Sequence, residues 1–302
     1  MSDQAIDHAL VRRLLADQFP QWAKLPLRAV PSHGTDNTIY RVGDDMCVRL
    51  PQIARAVPNI SKEQYWLPRL APHLPLRVPR ILGEGRPAAG YPWTWSVMDW
   101  IDGEEASLDR LTDPLAAAAM LGQFLVALRR VDASDAPRSG PETGGRGLPL
   151  CARDELTRRA LREMAAMPQL DDLLELPRLE RIRDDALRLP EYQQPPRWCH
   201  FDLHAGNMLA LDGRLSAVID WGMAGAGDPA AELHVAWSWA RPEAREVLRD
   251  AAEIDEHTWA RGRAWALSIA VIQIAYYLPR GTHPVLVDNA VQSLAGLSSG
   301  SA

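Results

Sequence analysis

The 302-residue chain holds only three cysteines and two lysines. Cys47, Cys151 and Cys199 lie far apart, with no Cys-x-x-Cys pair among them. That spacing offers neither a disulfide framework nor a thiolate metal site, so three reduced thiols are expected. Long apolar runs are missing too. The longest, over residues 264–277, is interrupted by Ser268 and Gln273. It falls short of the roughly 20 residues that a membrane span needs, so a buried helix and no membrane partner are expected. Residues 1–7 are polar and acidic, without the basic flank and apolar stretch of a secretory signal, and a cytoplasmic protein is expected. A basic surplus is also absent. The formal net charge is −6, which argues against a nucleic-acid-binding face.

The charge is unevenly spread. Residues 1–100 hold twelve Lys or Arg against nine Asp or Glu, and residues 101–302 hold twenty-one against thirty. A polyanionic nucleotide suits the first part and a polycationic small molecule the second, although an ordinary solvated acidic surface gives the same numbers. Periodicity separates similar regions. An opening helix is expected over 7–19, with Leu10, Leu14 and Leu15 at helical spacing. Strand-like runs follow at 27–32, 38–42 and 46–50, broken by Gly34 and by a tight turn at 43–45. Ser61-Lys-Glu-Gln64 has the form of a capping box and marks the expected start of a helix, which Pro68 should kink or end. Two more strands are expected at 78–83 and 93–99. Beyond Glu104 helices are expected over 113–131, 153–167, 170–189, 229–240, 242–252, 256–278 and 284–297. The Gly- and Pro-dense stretch 135–147 is expected to be an exposed loop. The expected organisation is a small lobe over 1–101 and a larger one over 102–302.

The chemistry-bearing residues gather in Trp198-Cys-His-Phe-Asp-Leu-His-Ala-Gly-Asn-Met-Leu209 and Ala217-Val-Ile-Asp-Trp-Gly222. Asn207 follows Asp202 by five positions, and Asp220 follows Asn207 by thirteen, each beside an apolar run that can hold it. Phosphoryl transfer from a nucleoside triphosphate asks for such a set. One carboxylate orients the attacking hydroxyl and accepts its proton, while an amide and a second carboxylate hold magnesium on the phosphates. Asp202 is therefore the candidate base, and Asn207 and Asp220 are the candidate magnesium ligands. Gly206-Asn207 taken alone also reads as a turn. His200 and His204, four apart, invite a zinc reading. Phe201 stands where a zinc hydrolase has its Glu, and Gly206 argues against a continuous helix.

The run His200-x-Asp202-x-x-x-x-Asn207, followed by Asp220-Trp-Gly222, resembles the catalytic loop and metal-binding turn of the protein-kinase-like superfamily. Its Asp-Leu-His-Ala-Gly-Asn wording is most similar to the aminoglycoside phosphotransferase family. The resemblance implies an α+β, two-lobed fold, with a small antiparallel-sheet lobe and a mostly helical second lobe. It implies an enzyme that moves the γ-phosphoryl of ATP or GTP, with magnesium, to a hydroxyl of a small, cationic molecule. Arg49, where Lys is the better-known choice, is then implied to reach the phosphates and to pair with Glu63. Ser32, Gly34 and Thr35 fall in the implied nucleotide-covering loop, which lacks a full Gly-x-Gly-x-x-Gly. Asp99, Trp100 and Ile101 are implied to receive the purine edge through their backbone.

His204 falls where protein kinases carry a phosphate-directed Lys, and His200 is implied to brace the loop. Asp228 and Glu232 resemble the family's loop-bracing acids. Asp228 follows Asp220 by only eight positions, with no Ala-Pro-Glu run, so the acceptor is expected to be a small molecule rather than a polypeptide. An aminoglycoside leads, its amino groups met by acids such as Glu253, Asp255 and Glu256. A macrolide or other metabolite kinase, or a catalytically silent nucleotide-binding protein, are the alternatives.

Overall fold

Helix α1 (His8–Gln18) starts where Asp7 accepts a hydrogen bond from the Leu10 amide at 2.7 Å. Its Leu10, Val11, Leu14 and Leu15 form one buried stripe. They share a core with Tyr40, Val42, Val48, Leu50, Trp95 and Val97 of the sheet strands. In this computed structural model residues 6–31, 36–170 and 175–299 are described. Ser32, Gly34 and Thr35 lie outside them. Residues 1–103 together with 217–222 make one compact unit, and 104–216 with 223–302 make the other.

The first unit carries a five-stranded antiparallel sheet. Its strands are β1 (Leu27–Val30), β2 (Asn37–Val42), β3 (Met46–Pro51), β4 (Ile81–Gly85) and β5 (Trp95–Asp99), in the order β1-β2-β3-β5-β4. Between β3 and β4 runs α2 (Val57–Leu70), which buries Ile60, Glu63, Leu67 and Leu70. This helix begins four residues before Ser61, which therefore caps nothing. Pro58 opens it instead, in the first turn, where a missing N–H breaks no helical bond. The chain also runs on through Pro68 to Leu70; in the last turn the proline ring ends the helix rather than kinking its middle. Segment 217–222 joins this unit because the Val218 amide donates to the Arg77 carbonyl at 2.9 Å.

The second unit is mostly helical. In chain order it holds β6 (Glu104–Glu105), α3 (Pro114–Arg130), α4 (Asp154–Met164), α5 (Leu176–Leu187), β7 (Arg197–Cys199) and β8 (Met208–Leu211). Strand β9 (Arg214–Val218) leads into the first unit, and β10 (Gly225–Gly227), α6 (Val235–Ser238), α7 (Pro242–Ala251), α8 (Glu256–Tyr277) and α9 (Pro284–Ser299) complete the chain. Asp113 caps α3 through the Leu115 and Ala116 amides, and Asp255 caps α8 through Thr258. Helix α8 is buried over most of its length, with apolar residues spread around its circumference, and α4, α5 and α9 pack on it. Helices α3 and α7 approach so closely that a Cβ on Gly122 would meet that of Ala251 at 2.6 Å. No helix among the described residues is long and apolar enough to cross a membrane.

Three expectations are corrected here. The helix expected over 170–189 begins only at Leu176, behind a 3₁₀ turn at Pro168–Leu170 and with Pro177 in its first turn. The one expected over 229–240 is a 3₁₀ helix, Pro229–His234, followed by the four-residue α6. Residues 135–147 are not an exposed loop. The Ser139 amide donates to the Ala226 carbonyl, the Ala226 amide to that of Pro137, and Thr143 is buried. Glycine and proline here make tight turns against β10 rather than a solvated excursion.

Candidate active site

In the first unit, β3 and α2 bring together Arg49 and Glu63. The Arg49 guanidinium, buried on its strand, donates through Nη1 to both Glu63 carboxylate oxygens at 2.7 and 3.0 Å. Through Nη2 it reaches Asp220 Oδ1 at 2.6 Å. With its amide oxygen turned inward, Asn37 accepts from Nη2 and Nε at 3.1 and 3.3 Å. Two carboxylates and an amide are therefore held by one planar fork of five donors, which the three donors of a lysine ammonium would serve less well. Burial pushes the Glu63 carboxyl above its ordinary range even with Arg49 beside it. Asp220 is half exposed and has φ of 60°, a left-handed backbone that side-chain-bearing residues seldom adopt.

The chain joining the units treats its three residues differently. Burial favours protonation of Asp99, but Arg77 and Arg80 outweigh it and hold the carboxyl below its ordinary range. They bond it at 2.8 and 3.0 Å, and the Arg80 amide adds a third bond at 2.6 Å. The Asp99 amide donates to the Arg80 carbonyl and the Trp100 amide to that of Asp45. Among the described residues Ile101 alone of the three keeps a backbone N–H with no backbone partner.

In the second unit the loop after β7 is braced from below. The buried Glu232 carboxylate accepts the amides of His200 and Phe201. Burial pushes its pKa up to about 7, with those amides opposing. Asp228 is held by Arg261 at 2.9 Å and accepts the Ala230 amide. Phe201 has φ of 66°, and the His200 ring accepts the Asp202 amide at 3.3 Å. Asp202 is gripped on both oxygens. Arg146 Nη1 lies 2.5 Å from Oδ1, and Asn207 Nδ2 donates to Oδ2 at 3.1 Å and to the Asp202 carbonyl at 2.9 Å. Burial raises the Asp202 pKa, but Arg146 and the neighbouring imidazoles more than offset it, leaving the carboxyl well below its ordinary range. His204 accepts the Gly206 amide on Nδ1 and keeps Nε2 at 4.0 Å from Asp202.

Arg146 was not among the residues singled out by sequence. It lies in the Gly/Pro-rich stretch, between Gly145 and Gly147 with φ of 75° and 84°, and bears no fixed spacing to the Asp202 motif. A Cβ on Gly147 would come within 2.3 Å of the Phe201 ring, so the turn that aims Arg146 requires glycine there. Together Arg146, Asp202 and His204 form part of the lining of a cavity of about 290 Å³. Glu253, Asp255 and Glu256 do not line it. Glu253 and Glu256 pair with Arg130 and Arg249, and Asp255 caps α8.

Asn207 spends its Nδ2 on Asp202, which leaves Oδ1 as a hard oxygen donor of the kind magnesium takes; Asp220 is another. Among the described residues no group of three or more His, Cys, Asp or Glu is gathered as a zinc site would need.

A sequence-family model described as the phosphotransferase enzyme family matches residues 28–265. The chain belongs to that family. A comparison with curated protein sequences gives no match. Solved structures show the shared phosphotransferase fold. The GDP and kanamycin complex of APH(2")-IIIa is 18% identical, with a TM-score of 0.69 over 96% of this chain and 98% of that one. The streptomycin-ATP-APH(2")-IIa ternary complex is 17% identical, with a TM-score of 0.60 over 97% and 99%. The macrolide 2'-phosphotransferase of Brachybacterium faecium is 21% identical, with a TM-score of 0.59 over 95% and 98%. This chain is thus a phosphotransferase by family, and it shares its fold with these aminoglycoside and macrolide phosphotransferase structures.

Proposed function

We propose that the protein transfers the γ-phosphoryl of ATP or GTP, with magnesium, to a hydroxyl of a small molecule, and that Asp202 is its base. The observation that carries this is the Asp202 carboxylate, gripped by Arg146 and Asn207 at the edge of a cavity. Held ionised, it orients the acceptor hydroxyl for attack on the γ-phosphorus. As the new O–P bond forms and the β–γ bridging bond breaks, Asp202 takes the hydroxyl proton and the nucleoside diphosphate leaves. Proton acceptance by a positioned carboxylate is worth about 10² to 10⁴ in rate. A low pKa suits an acceptor that takes its proton late, because the alcohol becomes strongly acidic only as the bond forms.

Arg49, kept in place by Glu63, contacts the phosphates in this reading, and His204 assists near the γ-phosphate. Ile101 offers the free N–H for the purine edge, whereas Asp99 and Trp100 shape the connection that presents it. Asn207 Oδ1 and Asp220 would hold magnesium, which when bound neutralises charge on the phosphate oxygens. The kanamycin and streptomycin complexes among the structural neighbours support an aminoglycoside acceptor. The macrolide 2'-phosphotransferases support a macrolide-like one.

The test is release of nucleoside diphosphate by purified protein, with and without magnesium, over a panel of alcohols. Asp220→Ala should abolish turnover and weaken magnesium-dependent nucleotide binding. Undiminished turnover in Asp220→Ala, or in the absence of divalent cation, would refute the reading.

A further inference from the structure

The cavity beside Asp202 is walled by two helix faces. Ile269, Ala270, Gln273 and Tyr277 recur at helical spacing on α8, and Leu286, Asn289, Ala290 and Ser293 do so on α9. Met223 and Ala266 add apolar surface. Asp202 is the one carboxylate in the described lining, and its charge is already met by Arg146. An ammonium group entering here would lose water and meet a guanidinium rather than a second acid, which is costly for an unpaired charge. Ser293, Gln273 and Asn289 are uncharged polar groups of the same lining. Ser293 is 1% exposed, and its Oγ has no hydrogen-bond partner. The amides of Gln273 and Asn289 make no hydrogen bond within the described residues either. A buried orphan hydroxyl in a lined cavity is a group awaiting a partner. The volume, about 290 Å³, lies at the lower end of the range of roughly 300–1,000 Å³ usual for drug-sized ligands.

We propose that the acceptor group seated against Asp202 is uncharged and compact, a sugar-sized alcohol with an apolar face, and that Ser293, Gln273 and Asn289 select it through neutral hydrogen bonds. This rests on the phosphotransferase reading above and narrows its acceptor. The amino groups of a polycationic aminoglycoside find no acid in this cavity, so the acidic balance of residues 101–302 is a property of the wider surface rather than of the acceptor site.

The experiment compares initial rates of nucleoside diphosphate release with kanamycin, with methyl and phenyl glucosides, and with their 2-amino counterparts, each at low and high salt. Magnesium-nucleotide binding is measured in the same preparations. The uncharged glycosides should be turned over with kcat/KM at least about tenfold above kanamycin and above their own amino counterparts, with little dependence on salt. Ser293→Ala should raise KM for the best of them about tenfold, the effect of one lost buried hydrogen bond, while leaving nucleotide KM unchanged. Asn289→Asp should shift preference toward the amino counterpart. Preferential turnover of kanamycin or the amino sugars by the wild type, or no turnover of any uncharged glycoside while magnesium-nucleotide still binds, would overturn the proposal. Failure to bind nucleotide at all would instead sink the phosphotransferase reading on which it stands.

Discussion

Replacing Arg49 tests the energetics of the first-unit cluster. Glu63 has a side-chain exposure of 1%, against 47% for Asp220, so the two carboxylates depend on Arg49 very unequally. In Arg49→Met, Glu63 is left buried without its cation, a change that typically costs about 3–5 kcal/mol. Protonation sets a ceiling. From the ordinary pKa of 4.5, neutralising Glu63 at pH 7 costs about 3.4 kcal/mol, at about 1.4 kcal/mol per pH unit. A loss of up to about 3 kcal/mol is therefore expected at pH 7, below the ceiling because Glu63 is already raised with Arg49 beside it. At pH 5 it should shrink by about 2 kcal/mol or more, because the protonated form is then nearly free to bury. Adding Glu63→Leu should recover most of the loss, since a buried pair replaced by apolar groups is close to neutral. Asp220→Asn should cost about 1 kcal/mol or less, as for a solvent-screened pair. Urea unfolding followed by tryptophan fluorescence, at both pH values, reads all four proteins. A loss below about 1 kcal/mol in Arg49→Met, or no recovery in the double variant, would refute the assignment of Glu63 as the dependent partner.

Arg146→Ala should lower kcat at least about tenfold with nucleotide KM unchanged, because Asp202 loses the charge-assisted contact that aims it. The acidic limb of its kcat profile should also move up toward the ordinary carboxylate range, which a pH-rate series on both proteins would detect. His234 is buried, and burial first, then Arg146, holds its pKa down to about 3 from 6.5. As pH falls below 6.5 the unfolded chain takes a proton that the folded one refuses, so this group's contribution to stability is lost progressively toward pH 3. Glu232, raised to about 7 from 4.5, acts in the opposite sense between those values. The His234 effect therefore appears as the difference between wild type and His234→Gln, whose stability should fall less by up to about 2 kcal/mol from pH 6.5 to 5. Parallel pH-stability curves would contradict it.

The strand and helix order was legible because alternation in the first hundred residues and 3.6-residue spacing beyond them are local signals. Arg49 and Glu63 meet because β3 and the helix after it are sequence neighbours. The helix starts were less legible. Ser61-x-x-Gln64 has capping chemistry, but Pro58 had already opened the turn and left Ser61 inside the helix. Arg146 was hidden for a different reason. Its contact with Asp202 spans 56 positions, and its turn is made by glycines that read as loop in any context. The left-handed backbone of Phe201 and Asp220 was equally silent, since both carry side chains and nothing in their identity marks a strained turn. The acceptor wall was missed because the scarcity of acids in a cavity emerges only when two helix faces are set opposite each other, whereas whole-segment charge counts the acids that pair elsewhere.

Asp202→Asn tests the central claim most directly. The amide keeps the size of the carboxylate but cannot take the acceptor proton, and it weakens the pull on Arg146. With the preferred acceptor and saturating magnesium-nucleotide, single-turnover transfer should fall by about 10² or more while nucleotide affinity stays within a few-fold of wild type. Transfer at close to the wild-type rate in Asp202→Asn would contradict the account.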